Sequence, residues 1–211
     1  MPLNENLHLK VRALTGTSTD HTSNNALYDS ISLAVKWVIH STPDALLEPL
    51  GIENEVTADG YSIANTTIIR VRKGERQCEK VPFEQKASMK DSSSIFYIPP
   101  NTKFPKYYIH SNKLFVLPVG NAYVLHIPNR IYDASTYTTT ILGDFDNAVI
   151  TYAAYLDSQA LATFYLENEQ DLELYNAATL MAERFYKAAY SEISTHLSAK
   201  GFGLQPQGQT E

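Results

Sequence analysis

The side chains that could do chemistry are few and scattered. Cys78 is the only cysteine, so neither an internal disulfide nor a CxxC redox pair can form. It falls in a stretch that reads as a strand, where a small packed residue is a better description than a nucleophile. No GxSxG elbow surrounds a serine, and neither GxxxxGK[ST] nor GxGxxG is present to cradle a phosphate. Asp144-Phe-Asp146 is a close carboxylate pair of the kind that can hold a cation or exchange a proton. It stands just before an amphipathic stripe, so capping that helix accounts for it better. The six histidines, His8, His21, His40, His110, His126 and His196, show no HxxxH or HExxH spacing, and no zinc site is expected. His110 and His126 lie in neighbouring expected strands and could face each other as a ligand pair, a placement two ordinary strand residues would share. The residues therefore predict no enzyme, no cofactor and no metal.

Binding is better represented. The chain has 14 tyrosines and 8 phenylalanines, side chains that supply rigid contact area at interfaces. Tyr107, Tyr108, Phe115 and Tyr123 in expected strands, with Tyr132 and Tyr137 in the long loop after them, form a candidate contact surface. Filling a small β-core would use the same residues. Glu167, Glu169, Asp171 and Glu173 crowd the start of the last helix, where they either complement its macrodipole or form an acidic working surface.

The elements that must position these groups follow from periodicity. In 211 residues, 44% are hydrophobic and 19% charged, a globular composition. Leu7, Leu9 and Val11 alternate with polar residues, predicting a short strand or extended arm. The polar run 15–25 reads as a loop, ending in Ser23 or Asn24 as an N-cap. Leu27, Ile31, Ala34, Val35 and Val38 then recur at helical spacing, and Pro43 starts a second short helix closed by Gly51. Residues 66–72 are β-branched, turn at Lys73-Gly74-Glu75, and return through 77–83 as an antiparallel partner. Residues 107–110, the turn Ser111-Asn112, 113–117, the turn Gly120-Asn121 and 122–127 predict a three-stranded antiparallel meander, with Pro118 and Pro128 ending its strands. From Asp144 onward the chain is helical. Phe145, Ala148, Val149, Tyr152, Ala153, Leu156, Ala160 and Phe164 share one stripe, and its alanines admit a close neighbour. After a break at 167–171, Leu172, Tyr175, Ala178, Ala182, Phe185, Tyr186, Ala189 and Ile193 mark a second long helix, and the tail beyond Gly201 has no periodicity.

The expected class is α+β: a helical bundle, made of an N-terminal helix and two long C-terminal helices, with an inserted antiparallel β-hairpin/meander region. The divisions are 1–51 (arm and helices), 52–143 (β-rich insertion and long loop), 144–200 (helices packing with the N-terminal helix) and 201–211 (flexible tail).

This organisation, and the run Asp144-Phe-Asp-Asn-Ala-Val-Ile-Thr-Tyr-Ala-Ala-Tyr-Leu156 after the strand pair 107–118 and a Thr-rich loop, resembles the head–tail connector (adaptor, or tail-tubular ring) proteins of tailed bacteriophages, short-tailed and crAss-like phages included. The resemblance covers the order of elements over 24–200 and the residue pattern over 107–156. It implies a virion protein, assembled in the host cytoplasm, that forms a homo-oligomeric ring, commonly of twelve copies. The ring would join the portal protein to downstream tail or ring proteins while DNA passes through without specific binding. The helices from Phe145 and Leu172 would form the wall, the segment from Tyr107 to Ile127 the β-contact, and Phe202 and Leu204 a portal-docking tail.

Charge agrees with that expectation. Seventeen Lys and Arg against 23 Asp and Glu leave a net charge of −6, which excludes a phosphate-gripping surface as the dominant feature. Repeated around a ring, it would repel sliding DNA, so Glu167, Glu169, Asp171 and Glu173 are expected to face the lumen. A closed ring also needs two different complementary faces per subunit. No positively charged, apolar signal segment opens the chain and no run approaches a membrane span, so a soluble protein without a membrane partner is expected. The competing reading is a monomeric or dimeric α+β ligand-binding module, with the aromatic β-face as its pocket.

Overall fold

The protein is α+β in a computed structural model that describes residues 7–99, 102–128 and 143–201. In chain order the elements are α1 (Leu7–Thr15), α2 (Asn24–Ser41), α3 (Asp44–Leu47), β1 (Ile52–Val56), β2 (Tyr61–Ser62), β3 (Thr66–Lys73), β4 (Arg76–Gln77), β5 (Glu79–Lys80), α4 (Lys86–Lys90), β6 (Lys106–His110), β7 (Lys113–Leu117), β8 (Ala122–Pro128), α5 (Asp146–Phe164) and α6 (Leu172–Ala199). They fall into two compact units, Met1–Thr42 with Arg130–Glu211, and Pro43–Asn129.

In the helical unit, α5 packs against α1, α2 and α6. The α2 stripe is buried as spaced, and Ser23 caps the helix by accepting from the Ala26 amide at 3.2 Å. Small residues are buried on both long helices, Ala148, Ala153, Ala154 and Ala162 on α5 and Ala178, Ala182 and Ala189 on α6, and Ala162 packs with Ala178 where the two helices meet. Their short side chains let the backbones approach.

Three expectations for this unit change. Residues 7–15 are a helix, not an extended arm: Leu7, His8, Val11 and Thr15 are buried and Leu9 is exposed, the spacing of a helix face rather than a pleat. Three alternating apolar residues are too few to distinguish the two periods, and packing against α5 decides. Neither Asp144 nor Asp146 caps α5 with its side chain; a 3₁₀ turn at Gly143–Phe145 leads in, with Phe145 at the cap position. The buried stripe of α5 continues through Asp157, Ser158 and Leu161 instead of Leu156, Ala160 and Phe164, and Ala160 is exposed.

The second unit holds two four-stranded sheets, ordered β1-β8-β3-β4 and β2-β7-β6-β5. Side chains from both meet in one core: Val56, Val71 and Val124 from the first, Leu114 and Val116 from the second, with Cys78 and Ala122. Strand alternation sends the next residues, Phe115 and Leu117, to the opposite face of the second sheet, where Met89 of α4 covers Tyr108. The β6–β7 hairpin turns at Ser111-Asn112, both with positive φ (48° and 56°), the backbone that a two-residue hairpin turn needs.

The expected meander is corrected here. β8 does not extend the β6–β7 hairpin; it leaves for the other sheet and lies between β1 and β3, antiparallel to each. The expected return strand 77–83 is likewise divided. Arg76–Gln77 pairs antiparallel with β3, whereas Glu79–Lys80 pairs parallel with β6. β8 also runs through Pro128, which stands opposite Thr66.

Candidate functional site

The acidic segment lies between the two long helices. α5 runs into a π-helical turn at Tyr165–Glu169, and Gln170 takes a left-handed conformation with φ 54°. Asp171 then caps α6, its Oδ1 accepting from the amides of Glu173 and Leu174 at 2.9 Å each. Asp171 is thus committed to the helix end, while Glu167, Glu169 and Glu173 are exposed.

Just beyond this turn, α5 and α6 enclose a groove of about 610 Å³, lined by Tyr155, Gln159 and Thr163 on one side and Tyr175, Thr179 and Tyr186 on the other. Tyr152, Tyr155 and Tyr186 meet at ring separations of 5.2–6.3 Å, and Trp37 of α2 stacks on Tyr152 at 4.0 Å and 9°. Burial raises the Tyr152 phenol above its ordinary value. Glu183 and Lys187 also line the groove. In the sequence Tyr175 and Tyr186 fall on the stripe of the last helix and Tyr155 lies off the α5 stripe; a sequence does not show which flank of a helix pair stays open.

The aromatic residues expected on the β surface are distributed over several environments. Tyr108 is buried, stacked with Phe115 at 5.2 Å and 12°. Tyr107 points to the opposite face and packs against the inter-sheet core. Tyr123, on the other sheet, lies under the Arg72 guanidinium at 4.6 Å. Tyr132, Tyr137, Phe202 and Leu204 lie outside the described residues.

The β unit instead exposes apolar side chains between α4 and β6. Ile95 is 93% exposed, Phe104 76% and Phe96 54%. Together with Met89 and Ile98 they line a cavity of about 460 Å³. The apolar run Ile95-Phe-Tyr-Ile98 is the signal that the sequence carries for this surface.

His110 and His126 do not face each other. His110 is exposed on β6 and stacks on Phe83 at 3.9 Å. His126 is buried on β8 in the other sheet, its Nε2 2.8 Å from the Tyr61 hydroxyl and 2.9 Å from Asn54 Nδ2. Burial lowers its pKa, which favours a neutral ring whose Nε2 accepts from these donors. The Cys78 thiol is buried and pushed up to about 11 by desolvation, so its thiolate is disfavoured at neutral pH. Among the described residues, no group of three His, Cys, Asp or Glu could hold a metal ion, and no helix is long and apolar enough to cross a membrane.

One buried polar cluster joins residues far apart in the sequence. Asp157 of α5 is fully buried, and its Oδ2 accepts from the hydroxyls of Thr15 at 2.8 Å and Thr17 at 2.6 Å. The segment after α1 is thereby tied to the central helix, although its polar residues had read as a plain loop.

The chain is therefore an α+β protein whose open features are an acidic turn, a tyrosine groove and an apolar loop. No family model matches it, and no curated protein matches it either.

Proposed function

We propose that the protein is a structural subunit of a tailed-phage particle, repeated as a ring that joins portal to tail and continues the DNA channel. The observation that carries this reading is the segregation of charge. The helical unit has seven Lys and Arg against fourteen Asp and Glu, whereas the β unit is nearly balanced at ten against nine. The net negative charge thus belongs to the helical unit, which contains the helices that the resemblance assigns to the wall. A channel that DNA must traverse needs repulsion rather than grip, since each phosphate contact adds affinity and a ring multiplies the field of its subunits. Glu167, Glu169 and Glu173, exposed beside the α5–α6 turn, are the lumen-facing candidates in this reading; Asp171 supports them by capping α6.

Cryo-electron microscopy of the particle that contains this chain, confirmed by mass spectrometry, is the test. The expected result is a ring at the portal–tail junction with these three carboxylates towards the axis. Absence of the chain from any particle overturns the reading, and a ring with all three on its outer wall removes the charge argument.

A further inference from the structure

We propose that the apolar loop of the β unit, centred on Ile95, Phe96 and Phe104, docks into the α5–α6 tyrosine groove of a second copy of the chain. The inference rests on the ring reading and names the contact that would build it. Single exposed hydrophobic residues are ordinary, but a contiguous set marks an interaction surface, and Ile95 and Phe104 are 93% and 76% exposed. The groove, about 610 Å³ in volume, falls in the size range that accepts bulky side chains. Its tyrosines are the residue type that contributes rigid, amphipathic interface area.

Charge selects the occupant. Lys90 and Lys103 are exposed beside the loop, with Asp91 next to Lys90; in the groove lining Glu183 is offset by Lys187 at 3.9 Å, which leaves Glu169 and Glu173, exposed at the adjoining helix start, as the uncompensated charges. Complementary signs steer and register such a contact. Loop and groove are different surfaces, so each copy offers one of each. Such heterologous contacts propagate head to tail and close into a ring when the rotation per step allows.

The test uses the full-length chain in sedimentation velocity from about 10 μM to about 1 mM, at low and high salt. A loop variant, Ile95→Asp with Phe104→Asp, and a groove variant, Thr163→Arg, alter exposed positions only. The wild type is expected to self-associate, more weakly in high salt. Each variant alone should associate at least about tenfold more weakly. Mixed in equal amounts, the two should form a dimer and nothing longer, because only one intact loop–groove pair remains; that rescue also shows that both variants fold. A wild type that stays monomeric at about 1 mM, a groove variant that associates like wild type, or a mixture that forms no dimer overturns the proposal. So does binding to phosphatidylcholine–phosphatidylserine vesicles that the loop variant loses while no self-association occurs. A ring at the portal–tail junction with the loop exposed overturns this contact and leaves the structural role standing; loop–groove association by a chain absent from every particle does the reverse.

Discussion

The buried tie between Asp157 and the two threonines tests whether a polar cluster or the surrounding apolar packing holds α1 in place. The Thr17 hydroxyl donates to Asp157 Oδ2, and so does that of Thr15, which also accepts weakly from the Thr17 amide at 3.4 Å. Asp157 is fully buried, and among the described residues its Oδ1 has no partner. Replacing both threonines by valine keeps the volume but strands the carboxylate without donors. A hydrogen bond to a charged group contributes about 1.5–3 kcal/mol, so Thr15→Val with Thr17→Val should cost about 3–6 kcal/mol. With a urea slope of about 3 kcal/mol per molar, the midpoint should fall by about 1–2 M. Adding Asp157→Leu removes the stranded group, and an apolar replacement of all partners should recover most of the loss. The assay is urea unfolding followed by Trp37 fluorescence, since this only tryptophan stacks on α5, with amide exchange across α1 as the local readout. A double variant that loses less than about 1 kcal/mol, or a triple variant no better than the double, would refute the reasoning.

Other outcomes follow from the same structure. Burial lowers the His126 pKa in the folded state, so between the ordinary histidine value and that lower value the unfolded chain binds more protons. Stability of the β unit should therefore fall as pH drops below about 6.5, and His126→Gln should flatten this dependence in urea titrations at stepped pH. Gly60 has φ +81°, and a Cβ there would lie 2.8 Å from the Phe115 ring and 3.1 Å from the Leu114 carbonyl. Gly60→Ala should cost about 2 kcal/mol or more, read as a lower urea midpoint. With its thiol near 11 and buried, Cys78 should react with a disulfide reagent at pH 8 at least about 100-fold more slowly in the native protein than in urea. Equal rates would show that the strand junction opens freely.

Legibility followed the range over which each feature is decided. The α2 stripe, its Ser23 cap and the Ser111-Asn112 turn were all readable, because each is settled within a few residues by backbone geometry and local hydrogen bonding. The same holds for the long helix ended by Gly201, whose φ of 82° suits the left-handed position past a helix. The α1 helix was missed because its three alternating apolar residues fit either period, and contact with α5 chose. Asp157 was missed because a carboxylate inside an apolar stripe reads as its edge until its donors are known, and these stand some 140 positions away.

The sequence by itself determined the α+β class, the order of most elements, the net acidity and the lack of phosphate-loop and nucleophile-elbow motifs, all properties of composition and short-range pattern. Only the tertiary structure decided which sheet each strand joins, which of the aromatic residues are consumed in cores, and where a groove and an apolar loop are left open. Strand alternation says that a residue has two faces to choose from, but the partner that covers a face is supplied by distant chain. β8 shows the consequence: its residues spelled a strand at once, yet its place between β1 and β3 depended on pairing with segments some 50–70 residues earlier.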